Sequence, residues 1–170
     1  NPASAITCVK PSGNISQLVN SSSGIHARHS EYYIRSVTVN KNDPIAQFMI
    51  SKGFTYEPDI TKPETALRFK FPIESPKNCV TRNDKTAIEQ LELWMIYKDH
   101  YCDHNPSCTI YIKEHEWLEV GSWVYKNFNN ISGIAFLPFS EHSYKQPPYQ
   151  ECTEDEYKKM VLPENVDWAE

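Results

Sequence analysis

The sequence predicts an α/β fold, because short runs of apolar and β-branched residues alternate along it with segments of helical periodicity. The strongest helical pattern spans residues 85–101, where apolar residues recur every three or four positions. Further along, a predicted strand at 107–112, a helix at 116–128 and a strand at 133–139 follow one another. This order favours parallel strand pairs joined by right-handed crossovers.

Length and composition narrow the class of protein. With 170 residues, of which 39% are hydrophobic and 23% charged, the chain can bury one core, and we predict a single domain over 1–170. A formal net charge of -5 argues against binding to DNA or RNA polymers. No apolar run could span a bilayer and no leader peptide is evident, so we expect no membrane partner and a cytoplasmic location. The five cysteines are odd in number and scattered, which indicates free thiols.

The first predicted strand, residues 5–10, runs into a turn of four residues. Pro11 ends the strand because it has no N–H to donate. Ser12 brings a hydroxyl, Gly13 permits a backbone conformation that turns N–H groups toward a ligand, and Asn14 can cap the helix that follows.

That helix begins at Ile15, since Ile15, Leu18 and Val19 have helical spacing. A helix that opens after a glycine turn presents unpaired N–H groups and the positive end of its dipole, where a phosphate fits. The same four residues are also an ordinary turn composition. Nearby, His26, Arg28 and His29 could help to hold a phosphate or could form a solvated loop.

The middle of the chain carries clear start and stop signals. A strand is predicted at 32–39, and Asp43 followed by Pro44 predicts the start of a short helix that ends at Gly53. Residues 57–64 are predicted as a loop, and the alternation that begins at Leu67 predicts a strand closed by Phe71 and Pro72.

Two further helices have predicted caps. Asn83 or Asp84 is expected to cap the long helix, whose buried side is formed by Ile88, Leu91, Trp94, Met95 and Tyr97. Thr153 and Glu156 form a capping box for a short helix at 155–160. Acidic residues there complement the helix dipole, and we predict no catalytic residue in the chain.

One cluster of side chains has the composition of a zinc site. His100, Cys102, His104 and Cys108 are zinc ligand types within nine positions. They lie where a helix runs into a strand, however, and alternating strand directions oppose their convergence. The alternative interpretation is a helix-to-strand connection with Cys108 packed in the sheet.

Several segments resemble, in the same order, the late part of the catalytic domain of the adenosylcobalamin-dependent (class II) ribonucleotide reductases. They are Ile6–Leu18, Ser23–His26, Tyr32–Arg35, Asn105–Ile112, Ile131–Pro138 and Pro148–Thr153. In that family a Pro-Ser-Gly-Thr turn binds the substrate's phosphates. The resemblance therefore implies substrate-phosphate binding by Pro11, Ser12, Gly13, Asn14 and Ile15. Asn14 departs from the family's threonine.

The resemblance also implies the late strand-helix units of a ten-stranded α/β barrel, rearranged or dimerised in isolation. The family's Asn-x-Cys-x-Glu segment is absent, and none of the five cysteines matches its thiyl or redox cysteines. Residues 162–170 resemble the approach to the family's tail and stop before its cysteine pair. We therefore expect a C-terminal portion of the enzyme that cannot reduce ribonucleotides alone.

These implications define the expected ligands and partners. Adenosylcobalamin would serve the complete enzyme, with no cofactor expected in this portion. The partners would be a ribonucleoside di- or triphosphate and either the remaining N-terminal part of the reductase or a second copy of the chain. The alternatives are a stand-alone domain that binds a phosphate ligand and a zinc-stabilised interaction module.

Overall fold

A computed structural model describes residues 2–139 and 145–169. In chain order its helices and strands are α1 (Ile15–Leu18), β1 (Tyr32–Asn40), α2 (Pro44–Ser51), β2 (Tyr56–Pro58), β3 (Ala66–Glu74), α3 (Ala87–His100), β4 (Thr109–Ile112), α4 (Trp117–Asn127), β5 (Ala135–Pro138), β6 (Tyr149–Glu151) and α5 (Glu154–Lys159). The chain divides into two compact units, one of Asn1–Glu31 with Ser75–Ser140 and one of Tyr32–Glu74 with Glu141–Glu170. The single domain stays a prediction.

The second unit contains a four-stranded sheet in the order β2-β3-β1-β6, in which every pair is antiparallel. The expectation of parallel pairs is therefore wrong for this unit. Asn40 at the end of β1 lies opposite Ala66 at the start of β3, so the connection returns at the same end of the sheet. Although α2 lies within that connection, no crossover is made, and the strands run in opposite directions.

Strand β3 continues beyond its predicted end. Pro72 lies inside it, opposite Ile34, and the strand ends at Glu74. Among the described strands, β2 pairs only with residues 67–69 of β3, so at Pro72 the strand has a neighbour on one side alone. Proline is tolerated at such an edge. Strand β2 itself occupies part of the predicted loop 57–64, and β6 was not predicted.

The signals around α2 are confirmed. The side chain of Asp43 accepts a hydrogen bond from the Ile45 N–H at 3.0 Å, Pro44 is the first helical residue, and Gly53 follows with a φ of 84°. The helix contributes Ala46 and Met49 to a core completed by Phe54, Leu67 and Phe69. In the same unit the predicted capping box of Thr153 and Glu156 opens α5.

The first unit contains the predicted parallel pair. Strands β4 and β5 run parallel, from Thr109 opposite Ala135 to Ile112 opposite Pro138, and α4 connects them. Both strands are shorter than predicted. Helices α3 and α4 cover this pair with a core of Ala87, Leu91, Ile110, Ile112 and Val120.

The cap predicted for α3 is wrong. Thr86 is the N-cap residue and forms a capping box with Glu89. Asn83 and Asp84 belong to a separate turn, which Thr81 caps with Asp84 as its acidic partner. On the helix, Leu91 and Trp94 are fully buried as expected, whereas Ile88, Met95 and Tyr97 are half-buried. None of the helices in the described part of the chain is long and apolar enough to cross a membrane.

Candidate phosphate-binding turn

The predicted strand at 5–10 is not a strand in the structure. The Thr7 carbonyl does accept a hydrogen bond from the His104 N–H at 3.2 Å. The N–H groups of Ile6 and Thr7, however, donate to the carboxylate of Asp103 at 3.2 and 3.3 Å. An acidic side chain thus takes the place of a neighbouring strand, and it fixes the segment that leads into the turn.

Asp103 makes this attachment dependent on pH. The hydrogen bonds from the Ile6 and Thr7 backbones, with a further bond to the Thr7 side chain, lower the pKa of Asp103 below its ordinary value of 3.8. A carboxyl whose pKa falls on folding stabilises the fold above its unfolded pKa and loses that contribution as pH falls through the folded one. We expect the Ile6 and Thr7 amide NMR resonances to move on acidification, with a midpoint below 3.8.

An Asp103→Asn chain should show the Ile6 and Thr7 amides already displaced at neutral pH. Asp99→Asn, on the exposed end of α3, provides the matched control and should leave both amides in place. Titration of the two amides with a midpoint above 3.8 would contradict the assignment of these hydrogen bonds.

Helix α1 is capped by Ser12 and not by Asn14, the residue predicted for this role. The Ser12 Oγ accepts a hydrogen bond from the Ser16 N–H at 3.1 Å, whereas the Asn14 side chain makes no capping bond. Asn14 already has helical dihedral angles, with φ -111° and ψ -24°, and so lacks the extended backbone of an N-cap residue. Helix α1 is a single turn, so its dipole is small and binding would depend on local N–H groups.

Gly13 contributes space rather than an unusual backbone. Its φ lies outside the left-handed region, and a Cβ built on it would meet no heavy atom within 4 Å. The N–H groups of Ser12, Gly13 and Ile15 have no hydrogen-bond partner among the described residues. The turn therefore presents open space beside backbone donors, which suits an anionic oxygen.

Cationic side chains near the turn are engaged elsewhere. The Lys10 Nζ donates to the Asn105 carbonyl at 3.0 Å and to the Ser107 Oγ at 2.7 Å. Arg28 is only 3% exposed and bonds to Ser75 and to the segment at residues 20–21. Arg28 is thus engaged in a structural role. It holds the loop in place, and the turn offers a phosphate its N–H groups.

A second loop supports the turn. Ser23 donates its hydroxyl to the Ser12 carbonyl at 3.0 Å. Beside it, Gly24 has a φ of 62°, and a Cβ there would lie 3.0 Å from the Lys10 carbonyl oxygen. A serine and a glycine in a polar loop are the only sequence features that accompany this packing, and they are too common to predict it.

Gly24→Ala should therefore displace this loop. The left-handed backbone costs a non-glycine residue roughly 1–2 kcal/mol, and the contact with Lys10 adds to that cost. Gly13→Ala, where the space is open and φ is ordinary, is the matched control and should leave the unfolding midpoint nearly unchanged. Equal urea unfolding midpoints for the two variants would contradict the close packing of Gly24.

The zinc alternative gains no support. No group of three or more His, Cys, Asp or Glu side chains placed to hold a metal ion occurs in residues 2–139 or 145–169, which include the four candidates. Cys102 is buried, and the Cys108 Sγ lies against the Thr109 carbonyl. Burial raises the pKa of Cys108 to about 11, so the thiol stays protonated at neutral pH.

The fold is that of an α/β protein, and the turn places backbone N–H groups without a described partner beside open space. Comparison of the sequence with known proteins shows which family the chain resembles. The chain is 30% identical over 158 residues to an adenosylcobalamin-dependent ribonucleoside-triphosphate reductase of Euglena gracilis, a match that covers 92% of the chain. It is 32% identical over 161 residues to a probable enzyme of the same name from Dictyostelium discoideum, covering 91% of the chain. The resemblance to the adenosylcobalamin-dependent ribonucleotide reductases is thus confirmed.

The structural comparison agrees on the fold. A crystal structure of a B12-dependent (class II) ribonucleotide reductase superposes on 92% of the chain with a TM-score of 0.78 and 24% identity. No protein-family model matches the sequence. The chain spans about a fifth of the relatives' length, 22% and 21% for the two enzymes above and 23% of the crystal structure's chain. The position of the matched segment within the family's ten-stranded barrel stays a prediction.

Proposed function

We propose that this chain is the C-terminal portion of the catalytic domain of an adenosylcobalamin-dependent ribonucleotide reductase, and that it contributes the turn that binds the substrate's phosphates. The observation that carries this proposal is the similarity to the reductases over nine-tenths of the chain, with an open donor turn at Pro11–Ile15. The substrate would be a ribonucleoside triphosphate, the class of substrate named for these relatives.

The turn's chemistry is that of binding and orientation. Hydrogen bonds from the Gly13 and Ile15 N–H groups to phosphate oxygens would be charge-assisted, and hence stronger than bonds between neutral groups. A Ser12 hydroxyl hydrogen is also available, because Ser12 only accepts in its bond with Ser16. Held at its phosphates, a nucleotide would keep its ribose in a fixed position.

A cavity in the first unit, bounded by Ile25, His26, Arg82, Lys85 and Gln90, has a volume of about 20 Å³, which is room for a water molecule and not for a corrinoid. We propose that adenosylcobalamin, which supplies the radical chemistry, is held by the rest of the enzyme. The cytoplasmic location stays a prediction.

An exposed apolar surface on the first unit supports the proposal that the chain is one part of a larger assembly. Leu118 and Tyr125 on α4 are 91% and 86% exposed, and Phe128 immediately after it is 70% exposed. Contiguous exposed apolar residues mark surfaces that are covered in an assembly. The relatives are more than four times longer, so we propose that the remaining part of the reductase covers this surface.

Complementation tests the proposal. The chain is mixed with a class II reductase that lacks the matching segment, together with adenosylcobalamin, a dithiol and a ribonucleoside triphosphate. Deoxyribonucleotide should form in the mixture and not with either component alone. Turnover by the chain alone would show that it is a complete enzyme. Failure to complement, with nucleotide binding retained, would indicate the stand-alone binding domain instead.

A further inference from the structure

A continuous series of hydrogen bonds connects the turn to the first residue of β4. Ser23 donates its hydroxyl to the Ser12 carbonyl at 3.0 Å. The Ser23 carbonyl lies 2.8 Å from the His26 Nδ1, and the Thr109 N–H donates to the His26 Nε2 at 3.0 Å. We call Ser23 and His26, with these three contacts, the Ser23–His26 bridge. All its members belong to the first unit.

The contacts determine where the imidazole carries its hydrogen. The Ser23 carbonyl can only accept, so the His26 Nδ1 must donate to it. The Thr109 N–H can only donate, so the Nε2 must accept. His26 therefore has its hydrogen on Nδ1, and both ring nitrogens are occupied in holding the loop of Ser23 to β4.

The bridge acts on one peptide group of the turn. The Ser12 carbonyl and the Gly13 N–H belong to the same planar trans peptide, so they point in opposite directions. A hydrogen bond that fixes the carbonyl toward Ser23 also fixes the Gly13 N–H on the opposite side, where no described residue accepts it. Donation to the carbonyl polarises the peptide as well, and makes that N–H a stronger donor.

We propose that Ser23 and His26 are positioning residues for phosphate binding. The inference rests on the proposed function of the turn and extends it to two residues that need not touch the phosphate. Ser23 orients the Gly13 N–H, and His26 holds Ser23 in place against β4.

The test compares serine variants of the full chain with inorganic tripolyphosphate as the probe. Loss of one hydrogen bond in Ser23→Ala should weaken binding roughly three- to tenfold, as measured by calorimetry. Ser23→Thr keeps the hydroxyl and should restore most of the affinity. Ser22→Ala, a substitution of the exposed neighbouring serine, is the matched control and should bind like the unsubstituted chain.

Nuclear magnetic resonance provides readouts that general destabilisation would not move. The imidazole ¹⁵N shifts should show the hydrogen on Nδ1, and the Gly13 amide resonance should move in Ser23→Ala but not in Ser22→Ala. If Ser23 and His26 act through the same peptide, Ser23→Ala combined with His26→Ala should weaken binding by less than the product of the two single effects.

The outcomes separate the two proposals. No binding of tripolyphosphate by the unsubstituted chain would overturn the proposed function, and the positioning role with it. Binding by the unsubstituted chain at an affinity that Ser23→Ala leaves unchanged would overturn the positioning role alone, as would independent effects of the two alanine substitutions.

Discussion

Glu116→Ala should lower the free energy of unfolding of the first unit by about 2–4 kcal/mol, because it leaves two backbone donors without acceptors. Glu116 is 4% exposed. One carboxylate oxygen accepts the Ala87 N–H, at the start of α3, at 3.1 Å, and the other accepts the Lys113 N–H at 2.8 Å. The side chain thereby joins the residue before α4 to the first turn of α3.

Two variants sharpen this prediction. Glu116→Gln keeps one acceptor but turns an NH2 group toward the other N–H. Its free energy of unfolding should lie between those of the alanine variant and the unsubstituted chain. Glu114→Ala removes an exposed acidic side chain two residues away and should be nearly neutral. Urea unfolding followed by tryptophan fluorescence measures all three. A Glu116→Ala midpoint equal to that of Glu114→Ala would contradict the buried bonds.

Gly13→Asp should abolish binding of a ribonucleoside triphosphate, with an affinity loss on the order of 100-fold or more. The substitution places a carboxylate where the phosphate would lie, and like charges at close range cost several kcal/mol. Because Gly13 has ordinary dihedral angles and open space, the fold should accept the new side chain. Reduced nucleotide affinity would then report on the site rather than on unfolding.

Gly13→Asn is the control for this experiment, since it has nearly the same shape without the charge. It should retain more of the affinity than Gly13→Asp, as measured by calorimetry, and both variants should unfold at the same urea concentration. Equal affinities for the two variants would mean that no anion lies beside Gly13.

Local signals in the sequence predicted local structure well. Asp43 before Pro44, and Thr153 with Glu156, marked the starts of α2 and α5, because a cap needs only residues close in sequence. Thr86 and Glu89 form the same kind of capping box at the start of α3, where Asn83 or Asp84 was predicted as the cap.

Strand direction and strand ends depended on distant partners. The alternation of strand and helix between β1 and β3 looked like a crossover, yet the connection returns to the same end of the sheet. Pro72 looked like a strand end, but among the described strands β3 has a neighbour on one side only at that position. Neither the direction of a strand nor the number of its neighbours is encoded within the strand's own residues.

The candidate site was predicted in outline from residues 11–15, and its supporting residues were not. Ser23 bonds to the turn at Ser12, and Asp103 bonds to the preceding segment at Thr7, across 11 and 96 positions of sequence. An aspartate after a helix and a serine in a polar loop are too common to indicate such roles. The expected helix dipole at the site also proved small, since α1 has four residues.

The most direct test of the phosphate-binding turn is a titration of the ¹⁵N-labelled chain with a ribonucleoside triphosphate, followed by amide resonances. We expect the Gly13 and Ile15 amides to move first and furthest, and inorganic tripolyphosphate to move the same pair. Largest shifts at the cavity beside Lys85 and Gln90, or no shifts at residues 11–15, would contradict this expectation.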